Sequence, residues 1–168
     1  YENNEDFTDD EGRPPHSGEV IGLGGDDNDI GKKIMDIKTA GVKTFGAVSV
    51  SVLDNMGNYH DMYFNRPTPV KIWLKVVISG NPDETLSPNA INDITSALMT
   101  KGQEQKIGED VILQRYFATI FQSTTGVGYI NLTAATGDTA KTYGSGNISI
   151  SARQIAVFDL SRIEVTTT

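Results

Sequence analysis

The sequence predicts an α+β protein made of two small mixed units, β-α-β-β followed by β-α-α-β plus short C-terminal strands. Three observations predict it. Segments of apolar–polar alternation are interleaved with segments of helical apolar spacing. A proline-rich stretch, Arg66-Pro67-Thr68-Pro69, interrupts the pattern, and prolines cannot donate to a central ladder. The 168 residues are 38% hydrophobic and 21% charged, which is enough apolar material for a core, since a chain of this length buries roughly 70% of its unfolded surface. The expected division is an acidic N-terminal segment with the β-α-β-β unit over residues 1–66, and an α+β C-terminal unit over 67–168.

Residues 1–18 are polar and rich in turn formers, and read as an irregular segment or a loose hairpin around Gly12. Glu19–Leu23 reads as a short strand, broken by Gly24-Gly25. Asp26, Asp27 and Asn28 are candidate helix caps, and Asp29 suits a first helical turn. Ile30, Ile34 and Ile37 then form an apolar stripe, closed by Ala40-Gly41. Val48, Val50 and Val52 alternate with Ser49 and Ser51, which predicts a strand with one buried face. Asp54–Asn58 is a hairpin turn, and Tyr59–Phe64 is the return strand.

In the second unit, Val70–Ser79 is the longest strand. Ile72, Leu74, Val76 and Ile78 share one face; Lys71, Trp73, Lys75 and Val77 share the other. Ser87-Pro88 predicts a helix start, with Ile91, Ile94 and Leu98 inward and Gly102 as the stop. A second helix is expected from Glu109-Asp110, with Leu113, Tyr116, Phe117 and Ile120 inward. Val127–Thr133 reads as a strand and residues 134–147 as a mobile loop rich in Thr, Ala, Gly and Ser. Short strands are expected at Asn147–Ile150, Gln154–Phe158 and Arg162–Thr166, with antiparallel pairing dominant.

The formal charge of -8 is concentrated at one end. Residues 1–29 hold ten acids and one base, a net of −9, and the remainder holds thirteen bases and twelve acids, a net of +1. Such a segment argues against nucleic acid or an anionic membrane as its partner. It reads as a solvated acidic surface, with a cation site or a basic protein partner as the alternatives. There is no Cys, which excludes disulfides, thiolate nucleophiles and Cys-based zinc sites. No apolar run reaches the length of a membrane span and no signal peptide is visible. The first residue is Tyr1 rather than Met, which suggests a fragment or a processed product.

The candidate chemistry is thin. Gly22-Leu23-Gly24-Gly25 lies between a strand and a helix, but Asp27 stands where a dinucleotide fingerprint needs its third glycine. Asp26 and Asp27 would also repel a phosphate at the helix start. His16 and His60 lack partners at metal-ligand spacing, and no Gly-x-Ser-x-Gly elbow surrounds any serine. Asp26, Asp27 and Asp29 could offer oxygens to calcium, as could Asp54, Asn55 and Asn58, without the spacing of an EF-hand loop. Glu109 and Asp110 are adjacent, so on a helix they point about 100° apart and share no site. Trp73 is a second core contact or an interface anchor. These residues define no catalytic constellation, no cofactor site and no metal site. The candidate interaction residues are Glu5, Asp6, Asp9, Asp10 and Trp73. A cation- or ligand-binding module on Asp26, Asp27 and Asp29 is the alternative, and a hydrolase using His16 or His60 a third reading.

Several segments, taken in order, carry a resemblance. They are Tyr1-Glu2-Asn3-Asn4 with Asp6 and Thr8-Asp9; Gly12-Arg13-Pro14-Pro15-His16-Ser17; Gly24-Gly25-Asp26-Asp27 and, after the helix, Lys38 to Gly46; Phe64-Asn65-Arg66-Pro67-Thr68-Pro69-Val70; Ile107-Gly108-Glu109-Asp110-Val111; and Gly126-Val127, Asn147-Ile148, Ile155-Ala156 and Asp159-Leu160. In order and spacing the chain resembles the C-terminal part of the baseplate J-like family of phage tail baseplate proteins. The resemblance implies a virion structural protein of the wedge, in a contractile phage tail or a prophage-derived contractile injection system. It implies no catalysis. Its partners would be other baseplate wedge proteins and paired copies of the chain itself, without nucleic acid or membrane. The location would be the virion tail baseplate, or the bacterial cytoplasm during assembly or when prophage-encoded. One departure stands out. Gly31-Lys32-Lys33 replaces the small or polar helix formers of relatives, and Gly31 should weaken the helix by roughly 1 kcal/mol relative to Ala.

Overall fold

A computed structural model describes residues 1–139 and 142–168. The chain divides into two compact units, Tyr1–Pro67 and Thr68–Thr168, one residue beyond the expected boundary. Both mix helices and small sheets, so the protein is α+β.

The first unit begins with β1 (Glu2–Asn3) and β2 (Ser17–Glu19), an antiparallel pair that closes residues 4–16 into a loop. β3 (Lys43–Phe45) adds to β2 in parallel, after the crossover helix α1 (Asp27–Ile37). β4 (Val48–Leu53) and β5 (Tyr59–Phe64) form a separate hairpin paired at all six positions. The unit therefore has two strands, β1 and β3, beyond the expected β-α-β-β. Both are two or three residues long and carry no alternation that marks them. The expected strand Glu19–Leu23 is also shifted. β2 ends at Glu19, and beyond it Ile21 makes only a bridge to Asn65 before the glycine turn.

Helix α1 packs on the hairpin through Ile34 against Val52, Met62 and Phe64. Asp26 is its N-cap, accepting from the Asn28 N–H. The buried residues of α1 are Gly31 and Ile34, whereas Ile37 is 64% exposed. The stripe is thus rotated from the expected one, and Gly31 is the reason. A β-carbon at Gly31 would overlap the Val50 side chain, so the missing side chain lets the helix approach β4 closely. The propensity cost of Gly31 is accepted for that approach. The helix ends at Ile37 with Lys38 as cap, and Gly41, at φ +88°, lies in the turn beyond.

The second unit is organised by β6 (Thr68–Gly80), whose Ile72, Leu74, Val76 and Ile78 are fully buried. β7 (Val127–Thr136) pairs antiparallel along one edge from Ile72 onward. Along the other edge lie β8 (Gln154–Val157) and β9 (Ile163–Thr167), end to end and both parallel to β6. A single 3₁₀ turn, Leu160–Arg162, separates them. Three of the six described strand pairings are parallel, whereas the sequence predicts that antiparallel pairing dominates. Pro69 lies inside β6, which is possible because β7 does not reach that position and leaves it at an edge.

Two helices cover the buried face of this sheet. α2 (Ala90–Gln103) begins after a turn at Ser87, not at Ser87 itself, and buries Ala90, Ile94, Leu98 and Gly102; Ile91 faces outward. α3 (Leu113–Ser123) begins four residues later than the expected Glu109. Glu109 accepts from the Lys106 N–H and pairs with Arg115. Asp110 accepts from the Ile150 N–H at 2.7 Å, and Asn147 accepts from the Leu113 N–H at 3.1 Å. These side chains tie the entry of α3 to residues 147–150, which form a bridge from Val111 to Ile148 instead of the expected strand. Part of the expected 134–147 loop belongs to β7, and Gly144 bridges back to Ala134; Ala140 and Lys141 lie outside the described residues.

Gly102, the expected stop of α2, lies within the helix, beneath Phe158, which stacks on Tyr116 at 5.9 Å between ring centroids. A β-carbon at Gly102 would come within 2.8 Å of the Phe158 Cβ and 2.7 Å of its Cδ2. Gly102→Ala should therefore cost about 1–3 kcal/mol by overpacking, the reverse of its effect in an exposed helix. Denaturant unfolding of Gly102→Ala alone and with Phe158→Ala checks this, because removing the ring takes away the obstructing atoms beyond Cβ, so Phe158→Ala should cost less in the Gly102→Ala background than in the parent.

Candidate interaction surface

The acidic segment is an ordered loop built around Asn3. Asn3 is 3% exposed, and its side-chain amide donates to the carbonyls of Phe7, Arg13 and Pro14 at 2.9, 2.8 and 3.1 Å. Its side-chain oxygen accepts from the Glu5 N–H. Asp9 shapes the turn from within. One carboxylate oxygen accepts from the Glu11 and Arg13 N–H groups, and the other pairs with Arg13 Nε at 2.7 Å. Partial burial of Asp9 opposes its ionisation. The hydrogen bonds and charge of Arg13 and the Glu11 N–H outweigh that and hold the carboxyl below its ordinary range.

Arg13 also reaches the Glu19 carboxylate at 3.5 Å and lies over the Tyr1 ring at 5.9 Å. The Glu19 side chain is fully buried and accepts from the Asn65 amide at 2.7 Å. A buried carboxylate of this kind is tolerated only when it is paired and hydrogen-bonded. Asp9 and Glu19 therefore have structural work that the charge count alone does not reveal. Glu5, Asp6 and Asp10 are exposed on the same loop, beside Phe7 at 63% exposure. Asp6 meets His16 at 3.0 Å, with both side chains largely in solvent.

Arg66 is the residue that sequence reading missed. Its guanidinium donates to the carbonyls of Gly22, Gly24 and Gly25 and to the Asp27 carboxylate. It also stacks over Phe64 at 5.3 Å. The glycine turn thus presents its carbonyls to an internal cation. The three acids of the cation alternative have separate surroundings. Asp26 is engaged by the helix cap, Asp27 by Arg66, and Asp29 is exposed. Among the described residues no group of three or more His, Asp and Glu could hold a metal ion.

His60 pairs with Asp54 at 2.8 Å. No serine or threonine hydroxyl bonds to His60 or His16 among the described residues, so neither forms a nucleophile–base pair. Asp54 instead holds the hairpin, accepting from the Met56 and Asn58 N–H groups at 2.8 Å each. The Asn58 N–H first, then His60, hold its carboxyl well below the ordinary carboxylate range. A depressed carboxyl contributes stability above its unfolded value of 3.8 and loses it as pH falls further, through the folded value. Asp54→Asn should therefore be less stable than the parent at neutral pH, with the gap closing in strong acid. Thermal melts across that range read the difference.

Trp73 is half-buried, and its indole N–H donates to the Gly137 carbonyl at 2.7 Å. With Lys71 on Asp138, it ties the second face of the sheet to the turn after β7. A cleft of about 490 Å³ also opens in the second unit, lined by Lys101, Glu104, Lys106, Glu109, Arg115 and Tyr116. Four of its five charged groups are paired, Lys101 to Glu104 at 2.7 Å and Arg115 to Glu109 at 3.3 Å. Burial pushes the Tyr116 hydroxyl up to about 12, so it stays protonated at neutral pH.

No helix among the described residues is long and apolar enough to cross a membrane. No protein-family model matches the chain, and no curated protein matches it.

Proposed function

We propose that the chain is a non-catalytic structural component of a contractile phage tail baseplate, or of a prophage-derived equivalent, and acts through protein–protein assembly of the wedge. One observation carries the reading. The segments that resemble baseplate J-like proteins supply Asn3, Asp9, Arg13, Asn65, Arg66 and Asp27, and these residues bond to one another, to the buried Glu19 and to backbone. A motif spent on holding loops in shape suits a protein whose function lies in the surfaces those loops present. The outward acids Glu5, Asp6 and Asp10 are the first candidate surface, and a basic face of a neighbouring wedge protein is its natural complement.

The test is reconstitution with the products of the genes that flank this one. Association with a wedge partner should be measurable, and should weaken steeply between low and high salt. Failure to bind any of them would sink the reading. A salt-independent affinity would remove the acidic loop from the interface.

A further inference from the structure

We infer that the free edge of β4 is a two-fold interface with a second copy of this chain, in which the two β4 strands pair antiparallel about Val50. The argument starts from the edge. β4 pairs with β5 on one side, and no described strand pairs with the other. Its six residues, Val-Ser-Val-Ser-Val-Leu, contain no charge and no proline, and its register with β5 is unbroken. Exposed edges are ordinarily blunted by charge, proline, a bulge or brevity. The other described edges follow that rule: β5 carries Asp61, β9 carries Glu164, and β8 is only four residues long. β1 and β3 are two and three residues long, and β7 carries a bridge to Gly144 beside a register break at its far end. Among these edges, that of β4 alone is regular and unprotected.

The occupant follows from the sequence of that edge. Val48-Ser49-Val50-Ser51-Val52 reads the same in both directions. An antiparallel copy centred on Val50 places Val48 opposite Val52, Ser49 opposite Ser51, and Val50 opposite itself. Antiparallel strands related by a two-fold axis keep the same face up, so all the valines stay on the α1 side. Serine faces serine on the other side, where cross-strand hydroxyl pairs are favourable. The product is a four-stranded sheet, β5-β4-β4-β5, where each hairpin alone is a marginal two-stranded one. α1 sits over both strands of its hairpin, through Val52 on β4 and Met62 and Phe64 on β5. This inference does not rest on the baseplate reading.

The test uses the full chain. Light scattering up to millimolar concentration should show a dimer that does not grow further. Ser49→Lys with Ser51→Lys sets like charges opposite each other twice and should give a monomer with an unchanged circular dichroism spectrum. Ser49→Glu with Ser51→Lys sets opposite charges there and should restore the dimer. The chain has no cysteine, so Val50→Cys under mild oxidation should yield a covalent dimer, whereas Leu53→Cys, which would face position 47, should not. Should the double-lysine variant fail to fold, this cysteine pair decides instead. A monomer at every concentration, an open-ended aggregate, a dimeric folded double-lysine variant, or equal cross-linking at positions 50 and 53 would overturn the inference.

Discussion

Replacing Asn3 with alanine is expected to release the 4–16 loop and to cost the first unit on the order of 3 kcal/mol. The size comes from what is stranded. The Asn3 amide satisfies three carbonyls, those of Phe7, Arg13 and Pro14, and its oxygen satisfies the Glu5 N–H. Alanine offers none of these, and the site is too buried for water to replace them all. Asn3→Asp should be no better, because a carboxylate cannot donate to three carbonyls and would face them with a charge. Both variants should be cut faster by protease within residues 4–16. Any association that depends on Glu5, Asp6 and Asp10 should fall with them, since the loop holds those side chains in place. Unchanged melting and unchanged cleavage in Asn3→Ala would mean that the loop is organised by Asp9 and Arg13 without it.

Gly46→Ala should cost the same unit about 3 kcal/mol or more. Gly46 lies between β3 and β4, where a β-carbon would overlap the backbone of Phe64, which is itself fully buried. Backbone in a paired strand cannot move aside as a side chain can. The comparison with Gly31 makes the point testable. There the obstructing group is the Val50 side chain, so Gly31→Ala should be partly rescued by Val50→Ala. No truncation at Phe64 removes the atoms that obstruct Gly46, so Gly46→Ala with Phe64→Leu should be worse than either alone. Denaturant midpoints of these variants separate the two cases. A Gly46→Ala protein as stable as the parent would show that β3 and β4 can separate without loss.

What the sequence made legible was local and periodic. The alternation of Ile72, Leu74, Val76 and Ile78 marks a strand face whatever that strand pairs with, and these residues are the centre of the second core. Ile94 and Leu98, and Tyr116 and Ile120, likewise mark helix faces at helical spacing. Misjudged elements were those whose geometry is set from far along the chain. Ile37 continues the stripe of α1 on paper, but the close approach at Gly31 turns that side outward. Glu109 and Asp110 look like a helix start, yet they serve Lys106 and Ile150. The parallel pairing of β8 and β9 has no local signature, because register with β6 is not written in either strand's own pattern.

The candidate surface was legible in the same incomplete way. The acids could be counted, but which of them face outward depends on Arg13 and Asn3, and a buried Asn inside a polar run looks like any turn residue. Arg66 was hidden for a similar reason. Its acceptors are backbone carbonyls about forty residues earlier, which no side-chain pattern announces. The clue was a lone arginine beside the prolines, downstream of a glycine-rich turn that already held an excess of acids.

The parallel run of β8 and β9 along β6 also has a mechanical consequence. Chain enters the second unit at the start of β6 and leaves it at the end of β9, and those strands run in the same direction. A pull on the two ends therefore drags β6 and β9 past each other lengthwise. The rungs between Leu74–Ile78 and Ile163–Thr167 lie across that pull and must give way together. The β4–β5 hairpin, drawn apart at its open end, would unzip rung by rung. Under tension the second unit should be the stiff element of the chain and the hairpin the compliant one, an ordering that single-molecule stretching can read directly.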